Sequence, residues 1–292
     1  MADDASRRKQ RLESSGSPAT TPRHEQADDS LFFVGTATTL LRFGPFTILT
    51  DPNFLHRGQW THIGQGLVSR RRTDPAIDVD QLPPLDAVVL SHLHGDHFDR
   101  VASRALDRDL PIVTTAHAAR RLGRRGFRET VALGTWSEFS LAKDGAELKV
   151  TAVPGRHALG ALARVLPPVM GSVIEYRSSP NSPWLRVYLS GDTLVHENLR
   201  EIAVRYPSLD VAVVHLGGTK VLGVLLTMDG RQGVDLVRML EPRHTVPVHY
   251  DDYGRFKSPL SDFEAEVDRI RPPTKVDYVR RGDTFTFPEP GR

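Results

Sequence analysis

The feature that most constrains this chain is a histidine-rich segment that begins where an apolar run stops. Residues 86–91 (DAVVLS) have the composition of a buried strand, and His92, His94, Asp96 and His97 follow at once. Side chains two positions apart in an extended segment project to the same side, so the first two histidines should point together. A glycine between the two pairs lets the backbone turn. Imidazole and carboxylate groups suit zinc, manganese or iron, so the segment predicts a metal site on an exposed loop at a strand end.

Three more residues of ligand type stand at the ends of other predicted strands. His157 ends the run LKVTAVPGRH, Asp192 ends LRVYLSGD, and His249 ends HTVPVH. A single histidine in such a place is usually structural or exposed, but three separate strands that each end in a ligand residue are better explained by one shared site. Because the chain has no cysteine, a metal would have to be held by His, Asp or Glu.

The bulk composition is that of a globular protein and argues against several classes of function. The chain has 292 residues, 39% of them hydrophobic and 25% charged, which suits one large domain or two smaller ones. Its 38 basic and 36 acidic residues nearly cancel, and the basic clusters at 70–72 and 120–125 are typical of a solvated surface, so no nucleic acid partner is expected. The sequence contains no P-loop and no Gly-x-Ser-x-Gly nucleophile elbow.

The N-terminal segment is predicted to lie outside the folded domain. Residues 1–29 are polar, charged and rich in Ser, Pro and Ala, so we expect a disordered tail, followed by one folded domain over residues 30–292. The segment lacks the apolar centre of a signal peptide, and no apolar run of about 18 residues occurs elsewhere. We therefore expect no transmembrane segment and a cytoplasmic location, while the oligomeric state stays open.

Short apolar runs indicate two successive series of strands and helices. Residues 31–50 contain three β-rich runs separated by glycines, which predicts an antiparallel meander, and residues 52–84 have few periodic apolar positions, which predicts a long loop. Strands and helices then follow one another from residue 86, and a second such series begins near residue 171 and closes with a helix and a final strand pair. Two β-then-α halves suggest a sheet-on-sheet core with helices outside.

The segment SHLHGDHFDR resembles the His-x-His-x-Asp-His motif of the metallo-β-lactamase superfamily. The later order of a histidine, an aspartate in SGDT and a terminal histidine is similar to that superfamily too, and the resemblance covers about residues 31–287. The opening VGTATTLLRFGPFTILTDP resembles the branch that includes ascorbate-phosphate lactonases and N-acyl-phosphatidylethanolamine phospholipase D enzymes. The resemblance implies an α/β fold, namely an αββα sandwich of two mixed β-sheets with helices on the outer faces and metals at one edge.

The resemblance also implies a site for two divalent metal ions, with Zn2+ as the first expectation and Mn2+ or Fe2+ as alternatives. The implied ligands form a first-metal set, a second-metal set and a bridge: His92, His94 and His157; Asp96, His97 and His249; and Asp192. Of these, Asp96, His97 and Asp192 are the predicted catalytic residues.

Two further residues are candidates for a supporting role. Asp51 stands where the superfamily has an aspartate that orients metal-site groups, but a turn cap before the following proline explains it equally well. His215 ends the run DVAVVH and could line the pocket, although a core or edge histidine is the favoured interpretation.

Two loops are expected to wall the substrate pocket, one on each side of the metals. Residues 53–72 carry Arg57, Trp60 and Arg70, and the two arginines are candidates for holding an anionic group. Residues 158–170 are unusually apolar for a loop and could form an acyl-binding wall, a membrane-touching lip, a dimer contact or an internal packing segment.

Hydrolysis is the chemistry that the resemblance implies. Two divalent metals can lower the pKa of a shared water from about 15.7 toward about 7 and can polarise a carbonyl or phosphoryl oxygen. We therefore expect a metal-bridging hydroxide that attacks an ester, lactone or phosphodiester bond of a small or amphipathic substrate. A lipid phosphodiesterase of the phospholipase D type is the main alternative, and a nuclease or a non-catalytic metal-binding protein is less expected.

Overall fold

The computed structural model describes residues 28–64, 66–158, 166–221 and 223–291. Its strands are β1 (Ser30–Gly35), β2 (Thr38–Phe43), β3 (Phe46–Thr50), β4 (Trp60–His62), β5 (Val68–Arg70), β6 (Ala87–Val89), β7 (Ile112–Thr115), β8 (Thr130–Leu133), β9 (Glu138–Lys143), β10 (Ala146–Val153), β11 (Gly171–Arg177), β12 (Leu185–Leu189), β13 (Val211–His215), β14 (Lys220–Val221), β15 (Val224–Leu225), β16 (His244–Val248), β17 (Lys275–Val276) and β18 (Thr284–Thr286). Its α-helices are α1 (Arg100–Ala105), α2 (Ala116–Gly123), α3 (Arg200–Arg205), α4 (Gly230–Leu240) and α5 (Leu260–Ile270), and short 3-10 turns lie at Val79–Gln81 and Glu197–Leu199.

The first large sheet joins an antiparallel meander to a set of parallel strands. Its order is β18-β1-β2-β3-β6-β7-β8. Strands β1 to β3 pair antiparallel, as the glycine-separated runs predict, whereas β3, β6, β7 and β8 pair parallel. All of β6 is buried, which suits a short apolar strand with parallel neighbours and both faces covered. Because β3 and β6 are parallel neighbours, Asp51 and the histidine-rich segment leave the sheet at the same edge.

The second large sheet has the order β17-β16-β13-β12-β11-β10-β9. Strands β9 to β12 pair antiparallel, and β12, β13, β16 and β17 pair parallel. Strand β10 therefore runs in the same direction as β12, since each is antiparallel to β11 between them. The carboxyl ends of β10, β12, β13 and β16 consequently point to one edge, and four chain segments leave the sheet there.

The two sheets pack face to face, with the helices on their outer faces. The layer between the sheets contains Phe33 and Ile48 from the first sheet and Leu148 and Val187 from the second. Helices α1 and α2 contribute to an apolar cluster on the outer face of the first sheet, and α3, α4 and α5 contribute to one on the outer face of the second. This αββα arrangement confirms the predicted fold class.

Helix α4 shows how local sequence defines an outer-layer helix. The side chain of Asp229 caps it by accepting the N–H of Gln232, which satisfies one of the free donors of the first turn. Leu236 and Leu240 lie one turn apart on its buried face, as amphipathic spacing requires. The helix ends at Leu240, because the next residue, Glu241, has a left-handed φ of 45° and turns the chain away from the helix axis.

Three expectations about the chain's organisation are wrong. The expected loop at 52–84 contains the β4–β5 hairpin and a 3-10 turn; its three-residue strands are too short to give a period in the sequence. Strand β9 was not expected, because it is an edge strand with mostly exposed side chains and few apolar residues. The final two strands do not form a pair: β17 extends the second sheet beside β16, and β18 closes the first sheet beside β1.

Asp29, the last residue of the predicted tail, contacts the folded part of the chain. Asp29 accepts the backbone N–H of Gly44 on its side chain at 2.6 Å and the N–H of Phe287 on its carbonyl at 2.8 Å. Residues 1–27, most of the predicted tail, lie outside the described residues. Within the part of the chain that is described, no helix has both the length and the apolar character needed to cross a membrane.

Candidate metal centre

The predicted ligand residues all follow strand ends at one edge of the sandwich. The histidine-rich segment follows β6 of the first sheet, while His157, Asp192 and His249 follow β10, β12 and β16 of the second. The expectation that the histidine-rich loop is exposed is wrong, since Asp96 and His97 are both buried. The loop is enclosed because Asp192 and His249, which follow strands of the second sheet, lie against it.

Three histidines form a first group. His92 Nε2 lies 2.9 Å from His94 Nδ1, as expected for side chains two positions apart in an extended segment. The ring centroids of His92 and His157 are 4.6 Å apart. Each of the three residues offers one nitrogen, and these nitrogens lie within 4.8 Å of one another.

Two histidines and two aspartates form a second group. His97 Nε2 lies 3.1 Å from Asp192 Oδ2, and His249 Nε2 lies 3.5 Å from Asp96 Oδ2. Burial would lower the pKa of His97, but the charges of Asp192 and Asp51 outweigh it and hold that pKa above its ordinary value. Each of these four residues offers one ligand atom, and the four atoms lie within 4.8 Å of one another.

Asp192 connects the two groups. Its Oδ2 lies 3.1 Å from His97 Nε2 in the second group and 4.0 Å from His92 Nε2 in the first. The carboxylate is almost fully buried. A buried carboxylate between two clusters of imidazole nitrogens is well placed to share its oxygens between two cations.

The polar atoms of these groups fit a metal centre better than a metal-free network. His157 Nε2, His249 Nε2, Asp96 Oδ1 and Asp192 Oδ1 are buried and have no hydrogen-bond partner among the described residues. Leaving a buried polar atom unpaired costs about 1–3 kcal/mol each, so four together call for another partner. Imidazole nitrogen and carboxylate oxygen atoms, without sulfur, are a set of ligands that zinc, manganese and iron accept.

Oxygen atoms orient four of the five histidine rings from behind. A metal-binding histidine usually has its second ring nitrogen held by such an oxygen, which fixes the ring and its tautomer. The four contacts are His92 Nδ1 with Ser91 Oγ at 3.0 Å, His97 Nδ1 with Asp51 Oδ2 at 3.0 Å, His157 Nδ1 with Leu226 O at 3.2 Å, and His249 Nδ1 with Leu216 O at 3.1 Å.

Burial keeps the first group of histidines neutral at physiological pH. Burial lowers the pKa of His92 well below its ordinary value, lowers that of His94 to about 4, and lowers that of His157 as well. The neighbouring histidines lower the first two further, because like charges repel. Neutral imidazole is the form that binds a metal, so the rings are already in the state a ligand needs.

Asp51 and His215 lie together behind the second group. The Asp51 carboxylate accepts the backbone N–H of Ser91 at 2.7 Å and faces His97, while His215 Nε2 lies 3.5 Å from Asp51 Oδ2. Burial would raise the pKa of Asp51, but His97 and His215 lower it to about 2, so the group is ionised. His215 is buried, and its Nδ1 lies 3.2 Å from Ser190 Oγ. Both residues therefore support the site region from the core side.

Two of the proposed site residues have left-handed backbone conformations. Asp51 has φ 38° and His249 has φ 63°, which is uncommon outside glycine. Such conformations persist when the surroundings fix them, and here the N–H of His249 donates to Thr36 O at 2.8 Å. The backbone is thus held in place on both sides of the candidate centre.

Sequence reasoning missed several residues that hold the histidine-rich loop. Asp99 accepts the N–H groups of Phe54 and Leu55 and also caps helix α1. Asn53 donates to Gly95 O at 2.8 Å and also bonds the hydroxyl of Tyr253. Asp99 could have been recognised as a helix cap before an apolar periodic segment. Nothing in the local sequence indicates that Asn53 reaches this loop.

The β4–β5 hairpin lies against the histidine-rich loop and explains its glycine. Gly95 N donates to His62 O at 2.8 Å. A Cβ at Gly95 would lie 2.2 Å from Thr61 Oγ1 and 2.5 Å from His62 O. The φ of this glycine is not positive, so close approach of the hairpin, and not the turn itself, requires a glycine here. At the tip of the hairpin, a Cβ at Gly64 would lie 2.4 Å from His94 Nε2.

The expected substrate residues lie along a cleft beside this hairpin. Arg57, Trp60 and Arg70 line an open cleft of about 720 Å3, and the Trp60 side chain is 58% exposed. Among the described residues, the opposite wall is formed by residues 254–257. We expected the apolar loop at 158–170 to wall the pocket on the other side of the metals. Most of that apolar loop, residues 159–165, lies outside the described residues.

The fold and the ligand-rich edge define the class of the protein: it is a metal-dependent hydrolase of the metallo-β-lactamase fold. Residues 47–250 match the family model described as "Beta-lactamase superfamily domain", which is well over half of the chain. The chain therefore belongs to that family.

Relatives of similar length carry a matching description. A "UPF0173 metal-dependent hydrolase" of Pyrobaculum islandicum is 28% identical over 253 residues, which cover 86% of this chain and 96% of the relative. A protein of the same name from Pyrococcus furiosus is 23% identical over 206 residues, which cover 70% and 83% of the two chains. The match spans most of each relative. The match to the family model, residues 47–250, includes all the proposed ligand residues of this chain.

Solved structures show the same fold. A "possible metal-dependent hydrolase" from Veillonella parvula superimposes with a TM-score of 0.74 at 21% identity, covering 89% of this chain and all of the other. An isothiocyanate hydrolase from Delia radicum gut bacteria superimposes with a TM-score of 0.73 at 21% identity, covering 89% and 99%. At these identities the similarity shows the fold alone.

Proposed function

We propose that this chain is a dinuclear hydrolase that cleaves an ester, lactone or phosphodiester bond. The observation that carries the proposal is that two adjoining groups of ligand-type residues contain buried polar atoms with no hydrogen-bond partner among the described residues. The proposed ligands are His92, His94 and His157 for one metal, Asp96, His97 and His249 for the other, and Asp192 between them.

The residues of the chain would act mainly by holding and orienting these ligands. Two bound divalent ions, Zn2+ as the first candidate and Mn2+ or Fe2+ as alternatives, would supply an activated water and polarise the oxygen of the scissile group. Asp51 fixes the ring of His97 through its Nδ1, and Ser91 does the same for His92. Asp96 and Asp192 are buried carboxylates, so the centre is shielded from bulk water on the core side.

A lipid phosphodiesterase is the second candidate function. Trp60 and Val68 share the exposed face of the β4–β5 hairpin, with exposed fractions of 58% and 40%. Exposed apolar side chains beside a catalytic centre suit a substrate with an apolar body. The narrower resemblance to the lactonase and phospholipase D branch stays a prediction, because the relatives named above carry only the general description of metal-dependent hydrolases.

A matched pair of histidine variants tests the dinuclear proposal. His249 and His244 stand at opposite ends of the same strand region, and each contacts an aspartate, Asp96 or Asp277. Elemental analysis of the parent should give about two metal ions per chain. His249→Ala should lose about one ion and nearly all hydrolysis, whereas His244→Ala should keep both. A parent with almost no metal after reconstitution with zinc, manganese and iron would refute the site assignment.

The bond type is tested with a substrate panel. Bis-p-nitrophenyl phosphate reports phosphodiester cleavage, simple lactones and short p-nitrophenyl esters report carbonyl chemistry, and long-chain p-nitrophenyl esters report lipid-like substrates. Turnover of at least one of them that depends on added metal is expected. A metal-loaded chain that turns over none of them would favour a non-catalytic metal-binding protein.

A further inference from the structure

The cleft beside the hairpin has an unbalanced charge. It is bounded by β4, β5 and the residues just before and after them on one side, and by residues 254–257 on the other. Among the described residues, every charged side chain that lines it is cationic: Arg57, Arg70, Arg71, Arg72, Arg255 and Lys257.

Only one of these cations has an acidic partner in the structure as described. Arg71 is fully buried, and its guanidinium lies 3.4 Å from Asp252 Oδ1. The other five side chains are exposed and make no ion pair with a described carboxylate. Asp74 lies close to Arg57 but accepts its backbone N–H and not its guanidinium. Since the whole chain carries a formal net charge of only +2, this cleft is more positive than the chain as a whole.

Other arginines of the protein do have acidic partners, so unpaired positive charge is a local property of the cleft. Arg177 pairs with Glu147 and Arg186 pairs with Glu175 on the second sheet. Five like charges around one cleft repel each other and create a strong positive potential, which a low-dielectric wall focuses. A multiply charged anion bound in the cleft would relieve this repulsion.

The walls of the cleft are continuous with the loops of the metal centre. On the hairpin side, His62 O accepts the N–H of Gly95, which lies within the histidine-rich segment. On the other side, Phe256 packs on the ring of His249 with 4.3 Å between ring centroids. The two walls meet where the backbones of Arg71 and Tyr253 form an isolated antiparallel β-bridge. A ligand in the cleft is therefore held by the same segments that position the proposed metal ligands.

We propose that this arginine cleft, defined by Arg57, Arg70, Arg72, Arg255 and Lys257, binds an oxyanion with two or more negative charges that forms one end of the substrate. The inference rests on the proposed hydrolase function and narrows its substrate to an anionic small molecule. The cleft volume of about 720 Å3 lies within the range of small-molecule sites. Guanidinium groups offer paired N–H donors that match the oxygens of phosphate and carboxylate groups.

The test measures anion binding to the full-length chain separately from hydrolysis. Inorganic phosphate and tricarballylate are titrated into the metal-loaded chain and into the chain freed of metal by chelation. Binding is followed by calorimetry and by tryptophan fluorescence, to which the exposed Trp60 of the cleft contributes. Binding to the metal-free sample cannot come from coordination of the anion by the metals. The cleft variant is Arg72→Gln with Arg255→Gln. The matched control is Arg121→Gln with Arg124→Gln, which removes two exposed arginines from α2 and the residue after it.

Saturable binding to both forms of the parent is expected. The cleft variant should raise Kd about tenfold or more, as the loss of charge-assisted hydrogen bonds predicts, while the control changes it by less than about twofold. Tighter binding of phosphate would indicate that the substrate is a phosphate ester. Tighter binding of tricarballylate would indicate that the substrate is a polycarboxylate. Absence of saturation in the parent, or equal Kd values for parent and cleft variant, would overturn the proposal. Failure of the proposed function would give a different result from failure of the anion site. The chain would then bind the anion but would lack either bound metal or turnover.

Discussion

Replacing Asp51 by asparagine tests whether the groups behind the histidines control the metal centre. Asp51 is almost fully buried, and its Oδ2 lies 3.0 Å from His97 Nδ1. Asparagine keeps the size of the side chain and can still accept the N–H of Ser91 through its oxygen. It removes the negative charge, so the contact with His97 becomes a neutral one or is lost.

The expected effect can be estimated from this single contact. Hydrogen bonds to charged groups contribute about 1.5–3 kcal/mol, and loss of such an orienting partner typically lowers metal affinity by about 10–100-fold. We expect Asp51→Asn to weaken the binding of one metal by that factor, because His97 lies in the second ligand group and not among the three histidines of the first. Competition with a chelator of known affinity, followed by elemental analysis, measures the change.

The matched control for this experiment is Asp210→Asn. Asp210 is equally buried and accepts a guanidinium N–H from Arg243 at 2.9 Å, but it precedes β13, whereas His215 ends that strand at the metal-site edge. The control should lose stability without losing metal affinity. Equal metal affinity in the parent and in Asp51→Asn would show that Asp51 is a turn residue and not an orienting group.

Three further predictions concern the glycine of the histidine-rich loop, the proposed ligand Asp96 and the N-terminal segment. Gly95→Ala should lower the free energy of unfolding in urea by about 1–3 kcal/mol, because the added Cβ would lie 2.5 Å from the His62 carbonyl oxygen. The control is Gly123→Ala, where a Cβ meets nothing within 4 Å, so this change should be neutral or stabilising. Equal effects of the two substitutions would contradict the hairpin contact. Asp96→Ala should abolish hydrolysis while the circular dichroism spectrum of the fold persists, and normal turnover of the best panel substrate would refute its role. Deletion of residues 1–27 should leave turnover and Tm nearly unchanged, provided Asp29 and its contacts remain; a large fall in either would show that the tail packs on the domain.

The sequence alone determined the candidate ligands and the class of fold. A buried strand followed by His92, His94, Asp96 and His97 is a local pattern, and strand ends are positions from which side chains can reach a common edge. The αββα fold followed from the resemblance and from two strand-and-helix series, and the sheet orders confirm it. The fold prediction is confirmed because it depends on patterns of short segments, whereas the assignment of these residues as metal ligands stays a prediction.

Only the tertiary structure decided how the candidate site is supported and what lies beside it. Contacts between residues distant in the chain leave no local period: Asn53 meets Tyr253, and Arg71 meets Asp252. The hairpin that requires glycine at position 95 has strands of only three residues, so its apolar pattern was too short to read. The arginine cleft arises for the same reason, since folding brings residues 57–72 against residues 254–257, and no property of either segment alone indicates that they share one electrostatic field.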